Sequence, residues 1–318
     1  MFRPFRAEEL NRMQQQLPLI SVVIPSFNHG HLIGRALGSV LAQRWDRLEV
    51  IVVDNHSNDD TDKVVASFND PRIRLLKVSN DGVIAVSRNV GIRAAAGEWL
   101  AFLDSDDWWA REKLEQCARC FDRSDVIYHR LRIVPPSGPG LLPRHIRSWQ
   151  VHAPVVRDLL LRGNPIATSS LMVRKDLMDR IHGFDERRDF VAAEDYDAWI
   201  RLARITQRFC FLAQPLGYYH YSQQSVSRKD MSLPMRSVTT VHAAGLGADD
   251  RASMDANAAY AAGRFAWSKG DLTRARAELW RSLRRGRPEI CARSLVTLAL
   301  LCGLQWRTRL SACLGRSQ

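Results

Sequence analysis

A chain of 318 residues, 46% hydrophobic and 25% charged, fits one large globular domain or two smaller ones. It has no stretch near the roughly 20 apolar residues that a spanning helix needs, and Leu19 to Ile24 is too short for a signal peptide, so the expected address is the cytoplasm. The net charge of +12 is uneven, because Arg264 to Arg316 holds twelve Lys/Arg against three acids and carries +9 of it, without any nucleic-acid-binding motif.

Up to about Phe121 the pattern alternates between strand and helix. LISVVI (19–24) is a β-branched run ended by Pro25, and HLIGRALGSVLAQ (31–43) carries apolar residues at helical spacing. Then follow a strand LEVIVVD (48–54), a helix after Thr61, a strand IRLLKV (73–78), a helix through Val90 and a strand EWLAFLD (98–104). Strands that are apolar throughout fit a sheet covered on both faces, and repeated β-α units imply parallel pairing. Ligands bind such sheets at the carboxyl ends of the strands, which here carry PSFNHG, DNHSNDD, SNDG and DSDD.

Further on, IVPPSGPGLLP (133–143) reads as a flexible connection or lid and SSLMVRK (169–175) as a strand. EDYDAWIRLARI (194–205) reads as a helix opened by acids. FCFLAQPLGYYHYS (209–222) reads as a strand pair broken at Pro215. Beyond a boundary near 235 to 255 the composition turns to Ala, Arg and Leu, with two helices over 256–289 joined at Lys269-Gly270-Asp271 and ended by Pro288. The expected division is a leader at 1–17, a catalytic domain at 18–235 and a basic helical region at 236–318. Of the six cysteines only Cys117 and Cys120 have suggestive spacing; they lack a second pair and are expected to be reduced structural thiols.

Asp104, Asp106 and Asp107 crowd the end of a buried strand. Such carboxylates either mark a solvated turn or meet a cation, and a D-x-D pair offers the oxygen ligands that Mg²⁺ or Mn²⁺ prefers. Asp54 ends a second strand and can accept from a base or sugar, while Arg88 can pair with phosphate oxygens. Each alone is more often a turn former or a surface cation. Their joint occurrence on one sheet edge points to a nucleoside-diphosphate site with a metal.

PLISVVIPSFNHGHLIGRALGSVLAQ, LEVIVVDNHSNDDT, NDGVIAVSRNVGIRAAAGEWLAFLDSDDWW and GFDERRDFVAAEDYDAWIRLA, in that order, resemble the inverting family-2 glycosyltransferases of the GT-A fold over residues 17 to 228. The resemblance implies an α/β, Rossmann-like, mostly parallel sheet flanked by helices. It implies that Pro25, Phe27, Asn28 and Asp54 hold the donor's base and ribose, with Asn55 where the family commonly has a second Asp. It sets Gly82 and Arg88 near the diphosphate, Asp104 and Ser105 beside the ribose, and Asp106 on the Mn²⁺ or Mg²⁺ ion. In some relatives a histidine at the position of His220 completes the metal site. Asp195, next to Glu194, matches the general base. The implied partners are a nucleoside-diphosphate sugar, a UDP-sugar first, and a glycan or glycolipid acceptor in cell-surface polysaccharide synthesis.

A nucleotide-sugar-binding scaffold without activity is the alternative, but none of the four motifs is damaged. A dinucleotide-dependent oxidoreductase is disfavoured, since Ser26-Phe-Asn-His-Gly30 lacks G-x-G-x-x-G. In the tail, Ala262, Phe265, Gly270, Ala275 and Pro288 faintly resemble one tetratricopeptide unit. The run ARSLVTLALLCGLQWRTRL (292–310) is expected either as a buried terminal helix or at a membrane surface, which would make the protein peripheral on the inner face of the cell membrane.

Overall fold

The computed structural model describes residues 17–135, 144–222 and 230–314, so the leader and most of the Pro/Gly-rich connection lie outside the described residues. The chain divides into two compact units, one running to Val156 and resuming over Asn164–Ser222, the other comprising Arg157–Gly163 and everything after Ser222.

In the first unit, strands β1 (Ile20–Ser26), β2 (Leu48–Asp54) and β3 (Ile73–Lys77) alternate with helices α1 (Gly30–Leu41), α2 (Thr61–Ser67) and α3 (Ile84–Ala94) before β4 (Trp99–Phe102). These four strands are parallel, in the order β3-β2-β1-β4. Every residue of β1 is buried, as a central strand covered on both faces requires. The register pairs Ser26 with Asp54 and Val23 with Phe102, which brings three strand ends to one edge.

The sheet continues in a second, mixed half. After β5 (Trp108–Trp109), α4 (Lys113–Ala118) and β6 (Val126–Val134) come β7 (Arg144–His145), α5 (Val155–Arg162), β8 (Met172–Arg174), α6 (Lys175–Arg180), α7 (Glu194–Ala203) and β9 (Phe209–His220). From β4 the order runs β8-β6-β9-β5, with β4–β8, β8–β6 and β9–β5 antiparallel and β6–β9 parallel. The sequence pattern did not announce β6 or α5.

Three expected boundaries move. β1 runs through Pro25, which lies beyond Val23, the last residue paired with β4; there the strand is open on that side and tolerates a missing N–H. The segment 209–220 is one strand, because the pairing with β6 jumps from His129–Leu212 to Arg130–Pro215 and a bulge absorbs the proline. Pro288 opens a third helix instead of closing the second, the position where a missing N–H costs least.

The second unit contains α8 (Ser232–His242), α9 (Ala248–Ser268), α10 (Leu272–Arg285) and α11 (Pro288–Leu314). Asp271 caps α10 by accepting from the Arg274 N–H at 3.0 Å. Ala275 and Leu279 pack with Ala256, Tyr260, Ile290, Leu298 and Leu301 in a core of its own.

One contact fixes how α3 lies on the sheet. A β-carbon at Gly91 would stand 2.3 Å from Cγ1 of the fully buried Val23, so this helix needs a bare backbone there. Gly91→Val is expected to lower unfolding free energy by about 2 kcal/mol or more, read from the urea midpoint, because overpacking exceeds any gain in helix propensity.

Candidate active site

The β1 and β2 loops are tied together by short polar side chains. Asn28, at φ 52°, donates its N–H to Ser57 Oγ at 2.7 Å and accepts from the Asn58 N–H at 2.9 Å. Ser57 gives its own N–H to Asp54 Oδ2 at 2.8 Å, and Lys77 Nζ donates to the same oxygen at 2.8 Å. Asp54 is fully buried, so its carboxylate serves first to hold this loop. Asp59 accepts from the Gly30 N–H and from Thr61, joining the N-termini of α1 and α2. Phe27, by contrast, is 54% exposed at the edge of the same loop. Gly82 turns at φ 79°, a conformation that costs an L side chain energy, and its N–H donates to Asn80 Oδ1.

The acidic loop after β4 sits at the centre. Arg88, buried on α3, donates Nη2 to Asp104 Oδ1 at 2.9 Å and Nη1 to Glu194 Oε1 at 2.6 Å. One guanidinium thus joins the D-x-D loop to the first turn of α7. Burial opposes the Arg88 charge, but Asp104 and Glu194 outweigh it and hold its pKa above the ordinary value. Two of its N–H groups thus go to carboxylates, while its buried Nε has no partner among the described residues.

Ser105 is buried and its Oγ lies 2.7 Å from His29 Nδ1. Arg35 stacks over Trp108 at 3.6 Å and donates Nη2 to the Asp106 carbonyl at 2.8 Å, leaving the Asp106 carboxylate to other uses. Asp107 is buried and accepts the His220 N–H at 2.8 Å, which ties the loop to the end of β9. Burial first, and then Asp104, raise the Asp106 pKa to about 6; burial and both neighbouring acids push Asp107 well above the carboxylate range. Among the described residues no three His, Cys, Asp or Glu side chains converge as a ready metal cage. Two crowded carboxylates at a strand end still suit a hard dication that takes its remaining ligands from phosphate and water.

Asp195 lies beside Glu194 on α7. Its Oδ1 accepts the Tyr196 N–H at 2.6 Å, and Oδ2 accepts Thr168 Oγ1 at 3.2 Å and Asn164 Nδ2 at 3.4 Å. Burial first, then the Glu194 charge, raise its pKa to about 7 despite Arg88. Glu194 stays clamped by Arg88, while its buried Oε2 has no hydrogen-bond partner among the described residues.

Sequence reading brought Asp104, Asp106, Arg88, Glu194 and Asp195 together, but missed His29, Arg35, Lys77, Asn164, Thr168 and Ser169, whose Oγ accepts the Asp104 N–H at 3.1 Å. Ser57, three residues after Asp54, had a signal of its own, the spacing at which a capping aspartate accepts a backbone N–H. Arg88→Ala should cost about 3–5 kcal/mol in denaturant unfolding by stranding buried Glu194, whereas Glu194→Gln should cost clearly less.

The family model for glycosyl transferase family 2 matches residues 21–181, half of the chain. The UDP-Glc:alpha-D-GlcNAc-diphosphoundecaprenol beta-1,3-glucosyltransferase WfgD of Escherichia coli is 41% identical over 188 residues, 58% of this chain and 70% of that one. Two solved structures share the fold. TarS 1–349 of S. aureus in complex with UDP-GlcNAc has TM-score 0.61 and 21% identity, covering 86% of this chain and 83% of that one. The mannosyltransferase PcManGT of Pyrobaculum calidifontis, in complex with GDP-Man and Mn2+, has TM-score 0.59 and 19% identity, covering 94% and 84%. With its motifs, its fold and this family match in agreement, the chain belongs to glycosyl transferase family 2 and is a glycosyltransferase.

Proposed function

We propose that the chain is a metal-dependent, inverting glycosyltransferase that moves a sugar from a nucleoside-diphosphate sugar to a hydroxyl acceptor in cell-surface polysaccharide or glycolipid synthesis. The observation that supports this best is Arg88, which holds Glu194 and Asp104 at once and so ties the acidic helix to the D-x-D loop. WfgD is named for UDP-Glc and a diphosphoundecaprenol-linked acceptor, and TarS was solved with UDP-GlcNAc; both favour a UDP-sugar here, and WfgD a lipid-carried acceptor. PcManGT, solved with GDP-Man and Mn2+, makes a GDP-sugar the next donor to try and Mn²⁺ the first ion.

On this reading each loop has a role. Pro25, Phe27 and Asn28 line the loop that takes the base and ribose, with Asp54 holding that loop from beneath. Gly82 gives the diphosphate a side-chain-free approach. Asp104 and Ser105 stand nearest the ribose, and Asp106 is the principal ligand of Mn²⁺ or Mg²⁺, with no role assigned to the His220 ring. Such an ion, when bound, supplies Lewis-acid neutralisation of the departing diphosphate. Asp195 takes the proton of the acceptor hydroxyl as its oxygen attacks the anomeric carbon and the bond to the diphosphate breaks. Thr168 and Asn164 aim that carboxylate, and Arg88 acts by positioning. Attack opposite the leaving group inverts the anomeric centre.

A base with a pKa near 7 is deprotonated over the range where it works. kcat/KM is therefore expected to rise with pH through about 7. Stability runs the other way: the folded form holds its Asp195 proton more tightly than the unfolded chain, so this group's contribution to stability falls as pH climbs from the ordinary carboxylate range to about 7. Asp195→Asn should abolish transfer and leave donor affinity within about threefold, far below the effect of losing a general base. Full transfer by that variant removes Asp195 from the mechanism. In a screen of UDP- and GDP-sugars, chelation by EDTA should stop turnover and Mn²⁺ restore it. A wild-type chain that binds donor but turns none over would return the scaffold reading.

A further inference from the structure

Among its described side chains, helix α11 has two apolar faces, one buried and one exposed. Ile290, Leu298 and Leu301 are buried in the core of the second unit, alongside buried Ser294 and Thr297. On the other side Ala292, Leu295, Val296, Ala299 and Leu300 recur at helical spacing and are all exposed. Leu295, Val296 and Leu300 expose 57%, 59% and 55% of their surface. Single exposed apolar side chains are ordinary on a soluble protein, whereas a continuous stripe marks a contact surface. On the preceding helix, α10, Trp280 is 51% exposed and with Ala277, Arg281, Arg284 and Arg285 lines a surface depression of about 710 Å³.

We propose that α10 and α11 form a docking surface for an anionic lipid bilayer, with the Leu295–Val296–Leu300 stripe entering the acyl boundary and the Trp280–arginine depression receiving phosphate headgroups. Charge selects this occupant. The depression is lined by Arg281, Arg284 and Arg285, of which Arg281 pairs with Glu278 at 3.8 Å, so a second copy would bring like charge to it. A nucleic acid would satisfy the arginines but leave the leucines in water. Anionic lipid satisfies both, and tryptophan beside arginine suits the headgroup layer. Among the described residues no helix is long and apolar enough to cross a membrane, so the mode is adsorption. This surface stands on its own residues and does not depend on the sugar-transfer reading.

Vesicle flotation of the full chain tests it. The wild type should float with phosphatidylglycerol–phosphatidylcholine vesicles and not with phosphatidylcholine alone, and should be released when salt rises from about 0.1 M to about 1 M. The triple variants L295S/V296S/L300S and R281Q/R284Q/R285Q should each lower partitioning at least about tenfold. Their thermal midpoints and donor hydrolysis should match the wild type, since the changed side chains lie outside the first unit's site. Absence of flotation, or flotation unaltered in both variants, overturns the proposal. So does a wild-type dimer that the serine variant dissolves, or binding that nuclease removes, since these assign the face to a second copy or to nucleic acid.

Discussion

One buried guanidinium holds the candidate site together. Arg88 reaches from α3 to Asp104 after β4 and to Glu194 on α7, two points 90 residues apart in the chain. A buried charge is tolerated when its hydrogen-bonding geometry is good and its partners are opposite in sign, and here both conditions hold. Either carboxylate that moved away would lose its bond to the shared guanidinium. The acidic loop after β4 and the first turn of α7 share a single restraint.

That restraint leaves the site short of positive charge. One arginine faces Asp104 and Glu194, with Asp195, Asp106 and Asp107 close by, and the surplus appears as the raised pKa values of Asp106, Asp107 and Asp195. Burial contributes most to each, and neighbouring carboxylates the rest. The two ends resolve the strain differently. Around Asp106 it amounts to a demand for a cation, whereas at Asp195 it yields a carboxylate ready to take a proton near neutrality. On the proposed function, environment divides similar acids into separate roles.

The second unit follows other rules. Its core sets small residues such as Ala256, Ala266 and Ala275 among Leu279, Ile290, Leu298 and Leu301, with Gly263 approaching so closely that a β-carbon would stand 2.8 Å from Leu279. Small residues let α9 and α10 pack tightly with little apolar volume, and α11 keeps a second apolar face exposed. A unit of this kind turns apolar surface and arginine charge outward, while the first unit buries its apolar strands and gathers acids at one edge.

Much of the first unit was legible because parallel strands and amphipathic helices have distinct periods, so β1 to β4 and the polar loops after them could be read from residue order alone. The β6 strand escaped because VIYHRLRIV mixes burial classes, and Pro215 and Pro288 misled because proline marks a possible break without saying which one. By itself the sequence determined the β-α alternation through β4, the loops rich in carboxylate and the residue types available for chemistry. Only the tertiary structure decided that Arg88 spends itself on two acids, that Asp54 serves its own loop, and that Thr168 and Asn164 flank Asp195. These are long-range meetings of single side chains, and local order carries no periodic signal for them.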